Sequence, residues 1–285
     1  MVDAPSLTQR LTFRLQYELR HAWESTAAAV QGNGITAYWY RDVLNFGDLI
    51  TPLLLRHYGY TPVFARHAQA QLVATGSILE HLCDDYAGII LGSGFIDETS
   101  NMTFPKARVL AVRGKLTRQR LGENRKTVAL GDPGLLASVV MPRREEKSYV
   151  LGVVPHYSEK NHPQLLQLLA RLGPDATLID AQAEPLKVFA AIDRCKHILS
   201  SSLHGLIVAD SLGIPNRWLA PAIGLHGGRF KFDDYYSSLG LDAEPGVLTG
   251  MELLSQLLVL TRPTAASRIQ DTKLALASLW ASLDS

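Results

Sequence analysis

Short apolar runs alternate with amphipathic segments from Ile35 to Val140. The apolar runs read "ITAYWY", "AQLVATGS", "YAGIILGSG" and "ARVLAVRG". Apolar residues at helical spacing occur between them in "NFGDLITPLLLRHYG" and after them in "KLTRQRLG". Because strands that alternate with helices form a mainly parallel sheet covered on its faces, this pattern predicts an α/β fold.

The alternation restarts after a charged bridge, "MPRREEKS", at residues 141–148. We predict an N-terminal Rossmann-like domain with a leading helix over residues 1–140, a C-terminal Rossmann-like domain over 149–248, and C-terminal docking helices over 249–285. Two such domains that face each other form a cleft at the carboxyl ends of their strands. Open α/β sheets bind their ligands at this edge.

The leading segment, residues 6–29, is predicted to be a helix with one apolar stripe. The stripe consists of Leu7, Leu11, Leu15, Leu19 and Trp23. We expect it to pack against the body of the protein. A shallow hold on a membrane surface is the alternative, and acidic Glu18 and Glu24 weaken it because helices that bind membranes are usually basic.

Composition and charge exclude several classes of protein. The 285 residues are 47 % hydrophobic, which is enough for substantial cores. Lys and Arg total 28 against 27 Asp and Glu, and this balance argues against a nucleic-acid partner. Two distant cysteines and scattered histidines predict neither a disulfide framework nor a metal site. The amino terminus does not resemble a signal peptide and no long apolar run follows, so we expect a cytoplasmic protein.

Two glycine-containing junctions are candidates for ligand contact. In "NFGD", Asn45 or Asp48 can cap a helix or contact a ligand, and Gly47 allows a close backbone approach. In "LGSGF", the N–H groups of Gly92, Ser93 and Gly94 can receive an anion, although a plain turn explains this loop equally well.

A third junction, "VLAVRG", places Arg113 at the end of a buried strand and before a helix. A guanidinium matches phosphate or carboxylate with two parallel hydrogen bonds, so Arg113 is a candidate anion clamp. The structural alternative is a salt bridge to Asp132 of "GDPG".

The fourth junction, "ILSSSLHGLIVADSLGIP", carries the strongest signal for chemistry. Ser200, Ser201 or Ser202 is expected to cap a helix that has His204 in its first turn, and Gly205 removes bulk beside it. A helix start rich in hydroxyl groups can bind phosphate, and an imidazole can donate or accept a proton near neutral pH. The stretch lacks the nucleophile elbow of serine hydrolases.

Two further pairs of side chains are secondary candidates for holding an anionic part of a ligand. His156 and Lys160 stand in "VPHYSEK", and Arg229 and Lys231 stand in "HGGRFKFDDYY". Solvated loop residues explain both pairs equally well.

The ordered motifs "NFGD", "GSGF", "AVRGKLT", "LGDPGLL" and "SLHGLIVADSLGIP" resemble those of the polysaccharide pyruvyl transferases. Over roughly residues 35–220 the chain looks most like the ketal pyruvate transferases of bacterial exopolysaccharide assembly, the xanthan and succinoglycan type. The resemblance implies a GT-B-like fold, with two Rossmann-like domains facing a cleft. It also implies phosphoenolpyruvate as donor without a cofactor, and a sugar of a lipid-linked oligosaccharide as acceptor, at the cytoplasmic face of the membrane.

The resemblance also implies roles for individual residues. By position in the motifs, Arg113 matches the family's arginine and His204 its histidine. From the chemistry of ketal formation, our hypotheses are that His204 is the general acid, that Arg113 clamps the donor's carboxylate or phosphate, and that residues 200–202 cradle phosphate. Ser202 departs from the family, where many members have arginine before "LHG". We expect the serine hydroxyl and helix N–H groups, Lys160 or Arg229 to replace that charge.

Two other functions fit the same residues. One is a glycosyltransferase of this architecture that uses a nucleotide-sugar donor, and the other is a carbohydrate-binding assembly protein without turnover. The sequence sets neither the sugar that is modified nor the number of subunits.

Overall fold

The computed structural model describes residues 7–122, 125–220 and 227–283. The first half of the chain forms a six-stranded sheet with every described neighbour pair parallel, in the order β2-β1-β3-β4-β5-β6. Its strands are β1 (Gly34–Tyr38), β2 (Thr61–Phe64), β3 (Leu72–Val73), β4 (Ile89–Leu91), β5 (Arg108–Val112) and β6 (Ala129–Leu130).

Helices flank this sheet. They are α1 (Leu7–Gln31), α2 (Ile50–His57), α3 (Lys115–Arg120) and α4 (Ala137–Val140), with 3₁₀ turns at His67–Gln69, Leu79–His81 and Pro133–Leu136. The last of these turns begins where the Asp132 carboxylate accepts a hydrogen bond from the Gly134 N–H at 2.8 Å, the usual interaction of a capping residue.

The second half forms a four-stranded parallel sheet in the order β10-β9-β7-β8. Its strands are β7 (Tyr149–Val154), β8 (Ala176–Leu178), β9 (Cys195–Ser200) and β10 (Asn216–Trp218). The helices between them are α5 (Pro163–Leu172), α6 (Pro185–Asp193) and α7 (Leu203–Leu212), with a 3₁₀ turn at Gly173–Asp175. Proline begins α5 and α6. It suits the first helical position because it lacks an N–H, and an N–H there would have no partner within the helix.

The helix α7 is buried along its whole length, and it packs against the 3₁₀ turn Pro133–Leu136 of the first half. The core around it is continuous between the sheets: Phe46 of the first half meets Phe189 of the second edge-on, with ring centroids 6.3 Å apart. This shared core fixes the carboxyl ends of both sets of strands relative to each other.

Three helices follow the second sheet: α8 (Phe230–Ser238), α9 (Leu254–Leu260) and α10 (Ala266–Ala281). Of these, α8 packs on α3 and α10 packs on β6, so the C-terminal part of the chain returns to the first sheet. The predicted α/β architecture with parallel sheets is confirmed. The domain boundaries at 1–140, 149–248 and 249–285, and the GT-B-like arrangement, stay predictions.

The leading helix is present, but the prediction that its apolar stripe packs against the body of the protein is wrong. Leu11, Leu15, Leu19 and Trp23 are exposed. The opposite face is buried instead: the Tyr17 hydroxyl accepts a hydrogen bond from Trp39 Nε1 at 2.5 Å. The side chain of Leu7 lies outside the described part of the structure.

The buried face of α1 also carries a charge that the protein neutralises. The Glu24 carboxylate accepts two hydrogen bonds from the Arg56 guanidinium, at 2.5 and 2.9 Å. This ion pair makes it possible for a polar face to be buried, which periodicity alone could not predict. Among the described residues, no helix has the length and apolarity needed to cross a bilayer.

Candidate active site

A cleft of about 510 Å³ lies at the carboxyl ends of the strands of both sheets. Each wall comes from loops that follow strands: β1, β3 and β4 on one side, and β7 and β9 on the other, with α8 completing the cleft. It is lined by Tyr40, Asn45, Asp48, Ser77, Ile78, His81, Ile96, His156, Tyr157, Ser158, Ser202, Leu203, His204 and Lys231.

The imidazole of His204 lies in the first turn of α7, where it faces Asp132 of the first half of the chain. His204 Nε2 is 3.8 Å from Asp132 Oδ2, too far for a strong hydrogen bond. Both atoms are buried, and neither forms a hydrogen bond with any described residue. Because buried polar atoms are nearly always hydrogen-bonded, this pair is a candidate for contact with a ligand.

Burial shifts both pKa values in the direction that favours the neutral form of each group. Burial, followed by the charges of Arg113 and Lys231, lowers the pKa of His204 to about 3. Burial raises the pKa of Asp132 to about 6, against the opposing effects of the Gly134 N–H and Arg113. At neutral pH the ligand-free site therefore holds a neutral imidazole beside a carboxylate.

Gly47 of "NFGD" provides the space for the imidazole. A Cβ atom at this position would lie 2.1 Å from His204 Nδ1 and 2.4 Å from its Cγ. The close approach that we predicted for Gly47 is therefore made to His204 and not to a ligand. Its neighbours Asn45 and Asp48 both line the cleft, and their contact with a ligand stays a prediction.

Lys231 supplies the cationic group of the cleft. Its ammonium forms no hydrogen bond or ion pair with the residues that the structure describes. Burial and the charge of Arg113 lower its pKa to about 8, and Asp48 opposes them. Burial raises the pKa of Asp48 to about 7, and Lys231 acts in the opposite direction. Such perturbed groups in a cleft are typical of functional sites.

Arg113 is fully buried beneath the cleft, and each of its guanidinium nitrogens donates a hydrogen bond to a protein group. Nε bonds Asp234 Oδ2 at 2.9 Å, Nη1 bonds the Ser77 hydroxyl at 2.5 Å, and Nη2 bonds the Phe95 carbonyl at 2.5 Å. The expected direct clamp on a ligand is not available in this arrangement. The alternative of a salt bridge to Asp132 named the wrong partner, because the buried carboxylate beside Arg113 is that of Asp234.

Only one of the three serines before "LHG" lines the cleft. The Ser200 hydroxyl donates to the Val154 and Ser202 carbonyls at 2.8 and 2.7 Å, and the Ser201 hydroxyl donates to Glu159 at 2.6 Å. Both hydroxyls are bonded within the protein, and neither side chain lines the cleft. Ser202 precedes the first turn of α7 and lies at the wall of the cleft.

The remaining glycine positions serve protein packing. A Cβ atom at Gly92 would collide with Pro133, and one at Gly94 would lie 2.5 Å from the Arg113 guanidinium carbon. Gly205 meets the Ser200 hydroxyl in the same way. Ser93 is buried and its hydroxyl donates to the Gly76 carbonyl at 2.8 Å. The Gly92 and Gly94 N–H groups donate to the Ala111 and Gly76 carbonyls, at 2.7 and 3.1 Å, so the "GSG" loop fits the plain turn that was the alternative to an anion site.

Of the secondary candidates, His156 lines the cleft and two others do not. Burial lowers the pKa of His156 to about 4, and its Nδ1 is 2.8 Å from the Ser158 hydroxyl. Lys160 is buried against Asp180, at 3.2 Å.

Arg229 pairs with Asp233 and Glu244 at the surface, at 2.7 and 3.0 Å. The expectation that Lys160 or Arg229 replaces the missing arginine charge is wrong, because carboxylates of the protein already bind both.

Sequence reasoning missed several residues of the cleft wall. Tyr40, Ser77 and Tyr157 each follow a strand within a few residues, which is the signal that could have identified them. His81 lies farther from a strand, at the end of the 3₁₀ turn Leu79–His81, and had no such signal. Among the described residues, no group of three or more His, Cys, Asp or Glu side chains could hold a metal ion. His226, one of the scattered histidines for which the sequence predicted no metal site, lies outside the described residues.

Comparison with known proteins gives a consistent result. The sequence profile of the polysaccharide pyruvyl transferases matches residues 13–222. An uncharacterized protein, L143 of Acanthamoeba polyphaga mimivirus, is 35 % identical over 165 residues, which are 55 % of this chain and 56 % of that protein. The succinoglycan biosynthesis protein ExoV of Rhizobium meliloti (strain 1021) is 27 % identical over 220 residues, 73 % of this chain and 66 % of ExoV. The aligned region thus spans less than two thirds of each relative.

Proposed function

Because the chain belongs to the polysaccharide pyruvyl transferase family, we propose that it transfers pyruvate from phosphoenolpyruvate to a sugar of an exopolysaccharide repeat unit. The product is a pyruvate ketal, and inorganic phosphate is released. The observation that carries the proposal is a cleft lined by His204 and Lys231, in which His204 Nε2 and the facing Asp132 Oδ2 are buried and form no hydrogen bond with any described residue. The similarity to a succinoglycan biosynthesis protein supports an exopolysaccharide acceptor.

The start of α7 provides groups that can bind the donor's negative charge. The first N–H groups of a helix have no partner within the helix, and here they belong to Leu203 and His204 at the cleft wall. The Ser202 hydroxyl and the Lys231 ammonium lie around the same space. Arg113 adds a fixed positive charge from below, which acts on His204 and Lys231 without contact with the donor.

His204 acts as general acid once the donor is bound. To raise its pKa from about 3 to about 7, the donor must supply about 5 kcal/mol. Opposite unit charges about 4 Å apart attract by about 4 kcal/mol at an effective dielectric constant of about 20, so a donor with several negative charges is sufficient. Asp132, at 3.8 Å from Nε2, stabilises the imidazolium that forms.

Protons and bonds balance without a cofactor. The acid protonates the methylene carbon, which becomes the methyl group, and a sugar hydroxyl forms a bond to the adjacent carbon as it loses its proton. The bond from that carbon to the phosphate oxygen breaks, and a second hydroxyl closes the ketal. The two hydroxyl protons restore the acid and leave on phosphate. Asp48, with its pKa raised to about 7, is placed at the cleft to accept one of them.

The acceptor binds at the aromatic rim of the cleft. Tyr40 comes from the first half of the chain and Tyr157 from the second, and both line the cleft. Rings and hydroxyl groups from both sides suit a sugar, which presents C–H faces and hydroxyl edges. We also propose that the acceptor is lipid-linked and that the reaction takes place at the cytoplasmic face of the membrane, in a GT-B-like two-domain arrangement.

The test is mass spectrometry of candidate oligosaccharides incubated with the protein and phosphoenolpyruvate, together with measurement of phosphate release. A pyruvate-sized mass gain is expected, and His204→Ala should reduce turnover by about a hundredfold or more, as removal of general acid catalysis does. Near-normal turnover of a folded His204→Ala protein would refute the assignment.

The two rival functions predict different results for the same purified protein. A nucleotide-sugar transferase would be stabilised against heat by nucleotide sugars and not by phosphoenolpyruvate, since a ligand that binds the native state raises the unfolding midpoint. A binding protein would bind oligosaccharide without any release of phosphate.

A further inference from the structure

The outer face of α1 is an apolar surface without a partner in the described structure. Leu11, Leu15, Leu19 and Trp23 form this surface, the α1 apolar face, and their exposed fractions are 60, 62, 62 and 68 %. Leucine and tryptophan side chains exposed side by side mark a surface that binds something, because isolated exposed apolar residues are ordinary and contiguous ones are not.

The acidic residues of α1 do not oppose binding to an anionic surface. Glu24 points inward, where it is bound by Arg56 and lies 3.2 Å from His21 Nδ1. Glu18 lies 3.8 Å from the Arg41 guanidinium, so their charges offset each other. Among the described side chains of the helix, the exposed charges that are left are cationic.

Those cations are Arg14 and Arg20, which are exposed on either side of the α1 apolar face. The face is therefore an apolar strip between positive charges, the arrangement of helices that lie in a membrane interface. Long arginine side chains at such positions extend towards lipid headgroups.

The spacing of the four side chains distinguishes a bilayer from a second helix. A helix turns by about 100° per residue, so steps of four residues spread the four side chains over about 120° of the surface. A helix–helix seam needs alternating steps of three and four residues that stay in line. A broad strip fits a flat interface, and Arg14 and Arg20 would repel their copies in a dimer.

We propose that the α1 apolar face binds the surface of an anionic lipid bilayer and holds the cleft beside it. Tyr17 in the middle of α1 contacts Trp39, the residue that follows β1, and Tyr40 lines the cleft. The first half of the helix therefore lies at the sheet edge where the cleft opens. The evidence for this contact comes from α1 alone and does not depend on the proposed function. If the acceptor is lipid-linked, the contact would hold the cleft near it.

Intrinsic fluorescence measures this contact directly. Of the four tryptophans, Trp23 is exposed while Trp39, Trp218 and Trp280 are buried. With vesicles of phosphatidylcholine containing one quarter phosphatidylglycerol, we expect a blue shift of the emission that is lost in Trp23→Phe, and sedimentation of the protein with the vesicles. High salt should weaken the binding, because it screens the arginines.

Leu19→Glu should lower the partition coefficient onto these vesicles by at least about tenfold, since a leucine side chain leaves the apolar phase and a negative charge is added. The matched control is Leu274→Glu on α10, where the leucine is 60 % exposed, and it should bind as the wild type does. Equal loss in both variants, or no binding by the wild type, would overturn the proposal.

Sedimentation equilibrium without lipid tests the other possible occupant of the α1 apolar face, a second copy of the chain. A dimer that Leu19→Glu dissociates, without vesicle binding, would assign the face to a second copy and overturn the proposal. Phosphate release with a soluble acceptor is measured on the same variants. Because Leu19 lies outside the cleft, a failure of lipid binding with turnover intact refutes only the membrane contact, and the reverse result refutes only the pyruvyl transfer.

Discussion

The contact between Gly47 and His204 makes a specific prediction about catalysis. In Gly47→Ala, the new methyl group would lie 2.1 Å from His204 Nδ1. Non-bonded carbon atoms pack at about 3.5 Å or more, so the imidazole has to retreat by more than about 1 Å. The imidazole has to move away from Gly47, and we expect this overpacking to cost about 1–3 kcal/mol of stability.

The effect on the rate should be larger than the effect on stability. A displacement of about 1 Å of a catalytic group costs on the order of a hundredfold in rate. Turnover is measured as phosphate release from phosphoenolpyruvate with acceptor, and folding by thermal unfolding. The matched control is Gly246→Ala, where the nearest atom to the new methyl group is 3.6 Å away, so both rate and stability should change little.

A double-mutant cycle isolates the cause. If Gly47→Ala acts through the imidazole, it should have almost no further effect on turnover in a His204→Ala protein, because the group that it displaces is gone. A full additional hundredfold loss in that background would refute the reasoning. So would wild-type turnover of the single variant Gly47→Ala.

Two further predictions concern charges around the site. The Lys231 ammonium has its pKa lowered to about 8, so donor affinity should fall as the pH rises through about 8 and the charge is lost. Lys231→Met should weaken donor binding by about tenfold or more at neutral pH and remove the dependence of donor affinity on pH. The measurement is the Michaelis constant for phosphoenolpyruvate as a function of pH. An unchanged pH profile in the variant would contradict a role of Lys231 in donor binding. Asp234→Asn leaves the buried Arg113 charge unpaired and should reduce the free energy of unfolding in urea by about 3–5 kcal/mol. The neighbouring Asp233→Asn, which breaks a solvent-exposed pair with Arg229, should cost less than about 1 kcal/mol, and equal losses in the two variants would be evidence against this account.

The hydrophobic periodicity of the chain was sufficient to predict the α/β architecture with parallel sheets and the sheet edge at which the candidate residues lie. Strands and helices alternate in "ARVLAVRGKLTRQRLG" and "HILSSSLHGLIVADSLG", and the structure has β5 and α3, then β9 and α7, at those positions. Parallel strands place their carboxyl ends at one edge of a sheet, so the residues after them could be predicted to meet. His204, Asn45, Asp48, His156 and Ser202 do line one cleft.

Local pattern could not determine which charge is free and which is paired. Arg113 and Lys231 both looked able to hold an anion, but the tertiary structure gives Arg113 a buried partner, Asp234, 121 positions away in the chain, and leaves the Lys231 ammonium facing the cleft. The same is true of Lys160, whose partner Asp180 comes from the end of a neighbouring strand.

The orientation of α1 was decided in the same way. Its apolar stripe was visible in the sequence, yet the face that packs inward is the one whose Glu24 finds Arg56 on α2 and whose Tyr17 finds Trp39 after β1. Hydrophobic periodicity is a property of neighbours in the chain, so sequence alone determined the elements and the edge at which the cleft opens. Hydrogen bonds and ion pairs join residues that only folding brings together, so only the tertiary structure decided which side chains line the cleft and which are paired within the protein.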